Sequence, residues 1–432
     1  MCDTFCALPA VTRDQSVILA KSSDCEANEA QYIYRVPARK HVRGEQFRAA
    51  HTVIPQVAET YEAVISRSFW TWGGELGINE HGLAVGNEAV FSNVTPERDG
   101  LVVTDMLRLA LERARTAREA VDVIGALVHQ YGQGGNCELR GNSHFDGSYI
   151  FADRSEAWVL ETAGREWAAR RGAAFDSISN AMTIGHEWDL CSLSDTRDAI
   201  DFAGEYQDDS IVGPHGAWER CDSSRSQLER SAGGITVETM FRILRHHTVG
   251  YHPGEGDRQL DICVHQGPFE NRLWQATGAM VTEVDAQSEI SWWTGTSATC
   301  LSIFKPIFLG AELPDMGPWP DDHFEPQSLF WRHERLHRRA ILDFDHVMPE
   351  IRQDFDNIEA EFLADAEAVK KGSPREKRDF TEHCFEIARA ATDRWIDTLE
   401  ARSWAYPPTP LGELWDKCNR AAAFSLSPDE AA

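Results

Sequence analysis

Lysine is scarce in this sequence, with seven residues against 35 arginines in a chain of 432. Base of either kind is outnumbered by acid: 42 Lys+Arg face 69 Asp+Glu, a net charge of −27. A surface this acidic repels phosphate backbones and anionic lipid, so neither nucleic acid nor a membrane is expected as a partner. Long apolar runs are also missing; none approaches the roughly 20 residues needed to span a bilayer. The start, Met1-Cys2-Asp3-Thr4-Phe5, has neither the basic residues nor the apolar stretch of a signal peptide, and a soluble, unexported, cytoplasmic protein is expected. The ten cysteines (2, 6, 25, 137, 191, 221, 263, 300, 384 and 418) include no Cys-x-x-Cys pair and no zinc-finger spacing. Free thiols in a reducing compartment are therefore expected. The acid excess fits a solvated surface in a host of high salt or high GC content, and by itself names no function.

What is present is ordinary globular material, 42% hydrophobic and 26% charged. At about 100–200 residues per domain, the length allows two to four domains, or one large core with an appended module. Thr4–Pro9 and Ser16–Lys21 read as a β-hairpin around the polar turn 11–15, and residues 77–87 as strand-turn-strand. A helix is expected from a Thr104-Asp105 cap through Arg115, and a second from the Thr116-x-x-Glu119 capping box to Tyr131-Gly132. Ser148–Ala152, Ala157–Glu161 and Trp167–Arg171 read as a meander. Residues 186–234 are polar and read as irregular. Strands resume at Ala279–Glu283 and Glu289–Thr294, ending near Ser302–Pro306. The segment 311–326, rich in Pro, Gly and Asp, reads as a linker. Beyond it, Leu329–Lys371 reads as helix interrupted at Pro349. Ser373-Pro374-Arg375-Glu376 then starts another that runs to about Arg402. Strands in pairs followed by helices in pairs predict an α+β fold, with antiparallel sheets and helices layered outside them.

The local chemistry centres on Cys2. Removal of Met1 would expose a cysteine whose α-amine, with an ordinary pKa of about 7.7–8.0, can act as a base near neutral pH. Nucleophile and base would then share one residue. The strand that begins there would pin a terminus that otherwise frays.

Several blocks around this cysteine occur in a recognisable order. Met1–Pro9 is followed by Ile18-Leu19-Ala20-Lys21-Ser22-Ser23-Asp24. Next comes Ser66-Arg67-x-x-Trp70-x-Trp72-Gly73-x-Glu75-x-Gly77-x-Asn79-Glu80-His81-Gly82. Tyr131–Asn136, Glu156–Gly164, Ile178-Ser179-Asn180, Thr294-Gly295-Thr296 and Ser302–Pro306 complete the series. Together these resemble the secernins, a branch of a dipeptidase family of N-terminal-nucleophile (Ntn) cysteine hydrolases. The resemblance is good over residues 2–310 and loose over 327–425.

The resemblance implies a four-layer αββα sandwich of two antiparallel sheets in a catalytic domain over 2–315, with a helical region, 327–425, packed on it. It implies a hydrolase of amide bonds, most simply a dipeptidase, acting on a small peptide or amide without cofactor or metal. It leaves a homo-oligomer open. Cys2 would be the nucleophile and Asp24 would hold the α-amine. Asn87 and Asn180 would serve the oxyanion, and Lys21 would contact substrate. Two positions depart from the family pattern: Ser22 stands where Asn is usual, and Cys25 where Arg is usual.

Two alternatives compete. One is a non-hydrolytic, secernin-like protein with a modified N-terminal Cys. The other is a zinc metallopeptidase built on His333-Glu334-Arg335-Leu336-His337, whose H-E-x-x-H spacing puts both histidines on one helix face. Crowding by Arg335, Arg338 and Arg339 disfavours a dication there. Trp70, Trp72 and Trp158 read as core residues, and His129, His246 and His247 as structural or exposed.

Overall fold

The computed structural model describes residues 1–193, 200–286, 288–402 and 408–425. The chain opens with β1 (Cys2–Ala7), β2 (Val17–Cys25) and β3 (Gln31–Val36). Two short ribbons follow, β4 (Arg39–Lys40) with β7 (Glu59–Thr60) around β5 (Gln46–Arg48) with β6 (Val53–Pro55). Then come β8 (Ala63–Ser68), β9 (Leu76–Asn79), β10 (Ala84–Val90), helices α1 (Val103–Arg113) and α2 (Ala117–Tyr131), and the meander β11 (Asp146–Ala152), β12 (Ala157–Ala163) and β13 (Glu166–Arg171). β14 (Phe175–Ile178), β15 (Leu190–Cys191) and helices α3 (Phe202–Tyr206), α4 (Asp209–Val212), α5 (Ala217–Ser231) and α6 (Val237–Leu244) precede β16 (Gln275–Val284), β17 (Glu289–Trp293) and β18 (Lys305–Ile307). Four helices close the described chain: α7 (Leu329–Ala340), α8 (Phe344–Val369), α9 (Pro374–Glu400) and α10 (Pro410–Ala421).

The strands form two antiparallel sheets, a six-stranded one ordered β14-β1-β2-β16-β17-β18 and an eight-stranded one ordered β15-β13-β12-β11-β10-β9-β8-β3. Period-two alternation explains how β1 serves two layers. Cys6 points into the core between the sheets, while Phe5 and Ala7 point to the outer helices. β2 repeats the pattern, with Val17 and Leu19 facing inward and Ile18 and Ala20 outward. α1 and α2 cover the eight-stranded sheet, and α5, α6 and the C-terminal helices cover the six-stranded one, which completes an αββα sandwich. Leu336, Phe355, Cys384 and Trp415 share a single buried cluster with Phe5 and Ile18, so the C-terminal helices are part of this layer's core.

Three expectations change. Asp105 does not cap α1, whose N-cap is Val102 with no side-chain bond; its carboxylate accepts instead from the Ala50 N–H. The span 186–234 contains α5, hidden in the sequence because Arg220 and Ser224 are buried on its inner face among Ala217, Cys221 and Leu228. Residues 194–199 of that span lie outside the described residues. The break in the helical run after 329 falls at a 3₁₀ turn, Ile341–Asp343, and Pro349 sits inside α8. No helix among the described residues is long and apolar enough to cross a membrane.

Candidate active site

Cys2 begins the central hairpin, opposite Ser23 of β2. It lies on the wall of a cavity of about 930 Å³ that also exposes Asp24, Asn87 and Asn180. The approach of the two sheets here depends on Gly86: a Cβ at that position would sit 2.5 Å from Thr4 Oγ1, so a larger residue would push β10, and Asn87 with it, away from β1.

The Cys2 backbone N donates to Asn180 Oδ1 at 2.8 Å, and the Asp24 backbone N donates to Cys2 Sγ at 3.4 Å. The Met1 ammonium donates to the Asp24 carbonyl at 3.3 Å. The Asp24 carboxylate accepts from Ser22 Oγ at 3.1 Å, while its Oδ2 is buried with no hydrogen-bond partner among the described residues. Burial raises the Asp24 pKa to about 7, against the pull of the Met1 ammonium, which lowers it. Ser22, one of the departures from the family pattern, is thus used to hold Asp24. Cys25, the other, accepts from Gln31 Nε2 at 3.3 Å and faces the cavity.

Asn180 is placed differently from a simple oxyanion donor. Its Nδ2 donates to the Ala89 carbonyl at 2.8 Å, and its Oδ1 accepts from both Cys2 N and Arg220. The side chain therefore presents an acceptor to the nitrogen of Cys2. Asn87 does the reverse: it lines the cavity, and its Oδ1 is buried without a partner among the described residues, leaving the amide uncommitted.

Lys21, expected to contact substrate, is fully buried and is not part of the cavity wall. Its Nζ donates to Glu88 at 3.1 Å and to the Ser22 carbonyl at 2.9 Å, and it interacts with the Cys2 sulfur. Burial pushes the Cys2 thiol up, and Lys21 is the largest influence pulling it down. Lys21 thus acts on the sulfur, out of a ligand's reach.

Arg220, on α5, is the main site residue missed in the sequence. Wholly buried, it pairs with Asp3 at 3.0 Å and donates to Asn180 Oδ1 at 2.6 Å and Ser179 Oγ at 2.9 Å. It also donates to the carbonyls of His215 and Gln259 at 2.8 and 3.0 Å. Its only sequence signal is an arginine on the same polar stripe as Ser224. Trp70 and Trp72, read as core, stand on the cavity wall, whereas Trp158 is core.

The H-E-x-x-H segment forms an internal ion-pair network. Glu334 accepts from Arg338 at 2.5 Å and contacts His337 Nδ1 at 3.1 Å, while His333 Nε2 lies 2.8 Å from the Ser297 carbonyl. Burial alone would raise Glu334, but Arg338 and His337 override it and hold the carboxyl at about 2. The two histidines serve separate partners, and the glutamate that would activate water is spent on Arg338. The zinc-peptidase alternative does not survive this geometry.

Two stacked antiparallel sheets between helical layers form an αββα sandwich, with a cysteine opening the central hairpin at a cavity. Residues 2–203, just under half of the chain, match the model of peptidase family C69. A dipeptidase of Bifidobacterium longum is 29% identical over 225 residues, covering 44% of this chain and 38% of that protein. A probable dipeptidase A of Streptococcus pyogenes is 25% identical over 224 residues, 46% of this chain and 45% of that protein. The matched chain thus spans less than half the length of these relatives. Among solved structures, a C2A mutant of conjugated bile acid hydrolase from Clostridium perfringens aligns with TM-score 0.46 at 10% identity, covering 72% of this chain and 92% of that one. Penicillin V acylase from Agrobacterium tumefaciens aligns with TM-score 0.42 at 13% identity, covering 71% and 86%.

Proposed function

We propose that this chain hydrolyses the amide bond of a dipeptide or similar small amide bearing a free amino group, with Cys2 as nucleophile. The observation that carries the reading is the convergence of Cys2 sulfur and nitrogen with Asn180, Asp24 and Asn87 at one cavity wall.

Loss of Met1 turns the Cys2 nitrogen into an amine that keeps Asn180 Oδ1 as acceptor and has the unpaired Asp24 Oδ2 close by. The amine takes the thiol proton, and Lys21 and the Asp24 N–H stabilise the thiolate. The sulfur attacks the substrate carbonyl. The uncommitted Asn87 amide donates to the oxyanion. Collapse breaks the C–N bond, and the α-ammonium returns its proton to the leaving amine. Water, deprotonated by the same α-amine, then cleaves the thioester. Asn180 is read here as the group that orients the amine, with Arg220 holding Asn180. The substrate's ammonium finds Glu29, Glu75 and Asp105 on the cavity wall.

The test combines intact mass with a dipeptide panel. Active protein should lack Met1, and Cys2→Ala should abolish turnover. Turnover that survives Cys2→Ala, or that resides in protein retaining Met1, would overturn the reading. A mass reporting a converted Cys2 without turnover would favour a non-hydrolytic protein instead.

A further inference from the structure

A second cluster lies outside the segment matched by the C69 model. His247 follows α6, Cys263 and His265 lie in the segment entering β16, and Cys300 sits in the 3₁₀ turn Thr299–Leu301 after β17. One ligand atom from each of the four lies within 4.8 Å of all the others. Far apart in sequence, they are joined only by the fold.

We propose that His247, Cys263, His265 and Cys300 form a tetrahedral zinc site that braces one wall of the cavity. The donor set is two sulfurs and two imidazoles, the combination that tetrahedral zinc takes in closed structural sites. The spacing fits. With Zn–S near 2.3 Å and Zn–N near 2.0–2.1 Å, tetrahedral geometry puts sulfur and nitrogen ligands about 3.6 Å apart. His265 Nε2 is 3.7 Å from Cys263 Sγ and 3.4 Å from Cys300 Sγ.

Hydrogen bonding alone satisfies this cluster poorly. Two thiols converge on one imidazole nitrogen, which has a single lone pair to offer. Both ring nitrogens of His247 are buried without a hydrogen-bond partner among the described residues, whereas buried polar atoms are as a rule paired. A cation would engage all four side chains at once. Tyr251 and Phe344 flank the cluster, with Tyr251 stacked on His247 at 4.5 Å and Phe344 edge-on to His265 at 5.3 Å. With both cysteines bound as thiolates, the zinc centre would carry no net charge.

The site's consequence lies at the cavity. The chain leaving His265 supplies Gln266, Leu273 and Trp274 to the cavity wall, and Gln259, just before Cys263, accepts from Arg220 and donates to the Trp274 carbonyl at 2.7 Å. Zinc would fasten this segment to α6 and to the end of β17. The inference does not depend on the hydrolase reading.

The experiment is metal analysis of the full chain after zinc-supplemented expression and dialysis, with cobalt substitution of the stripped protein. The expected result is about one zinc per chain, and a cobalt spectrum with thiolate charge-transfer bands and the intense visible bands of a tetrahedral ion. Cys263→Ser and Cys300→Ser should lose both, while Cys2→Ala keeps both, which separates this site from the catalytic one. If the serine variants do not fold, the wild-type cobalt spectrum alone decides. Substoichiometric zinc with no thiolate–cobalt bands, metal retained in both serine variants, or an intact mass showing Cys263 and Cys300 joined as a disulfide would each overturn the proposal.

Discussion

Asn87→Ala separates a catalytic role from a structural one, because the two predict opposite changes in stability. The Asn87 Oδ1 is buried and unpaired, and an orphaned buried acceptor costs on the order of 1–3 kcal/mol in the folded state. Alanine removes that cost and sacrifices little apolar packing, so the variant should be as stable as the parent or more so, by about 1 kcal/mol. For a chain of this size that is a rise in Tm on the order of 1–2 °C. Activity should move the other way. Loss of one aimed oxyanion donor lowers kcat by about 10²–10³, or about 2.7–4 kcal/mol of transition-state stabilisation, with KM nearly unchanged. The assay is initial-rate hydrolysis of the best dipeptide, read as released amino acid, beside thermal unfolding of the same preparations. A kcat within twofold of the parent would refute the oxyanion role. So would a parallel fall of kcat and Tm, which would make Asn87 a packing residue.

Other perturbations test the supporting network. Arg220→Met leaves Asp3 charged and buried without its partner and should cost about 3–5 kcal/mol; Arg220→Met with Asp3→Leu should recover most of it, and calorimetry showing no recovery would contradict the pairing. Glu29 is nearly buried and its pKa is raised to about 7, chiefly by burial, with the Trp70 indole N–H pulling the other way. Its folded form therefore holds a proton that the unfolded chain has already lost, and the stability this gives is full below the unfolded pKa and fades as pH rises to about 7. Tm should fall from pH 5 to pH 8, and Glu29→Gln should flatten that slope. Glu334 behaves oppositely. Held at about 2, it stabilises the fold above its ordinary value and loses that contribution only as pH falls toward 2; Glu334→Gln should destabilise the chain at neutral pH, and unchanged urea unfolding would refute its ion-pair role.

The parts of the fold legible in the sequence were those with simple periods. The first hairpin, the meander after α2 and the Ser373 capping box stand where alternation and cap chemistry put them. α5 escaped because Arg220 and Ser224 interrupt the buried stripe of Ala217, Cys221 and Leu228 with residues that period-reading assigns to solvent. The site divides along the same line. Cys2, Asp24, Asn87 and Asn180 converge at one cavity, but the direction of each amide depends on partners such as Ala89 and Arg220 that only the packed sheets supply. Lys21 shows the limit of a charge read in isolation: in β2 it faces the second sheet, where Glu88 neutralises it. The grouping of His247 with Cys263, His265 and Cys300 has no local signature, since its members are spread across three separate stretches of chain.

The net charge of −27 takes on a more specific meaning at the cavity, where Glu26, Glu29, Glu75, Asp105 and Glu138 outnumber Arg140 and Lys417 on the wall. Burial raises Glu29 to about 7 and Asp105 to about 6, so near neutral pH these groups are partly protonated. An ammonium favours the ionised carboxylates, so its arrival must expel protons. The apparent KM for a dipeptide with a free amine should therefore rise as pH falls below 7, by up to about tenfold per unit for each proton released. The N-acetylated form of the same dipeptide cannot make that exchange and should show a nearly flat KM over the same range. Added salt should weaken the free-amine substrate less than it would at an exposed site, because these carboxylates are shielded from solvent. Matching pH profiles for the two substrates would show that the acidic wall does not read the amine, and would return the acid excess to a matter of surface solvation alone.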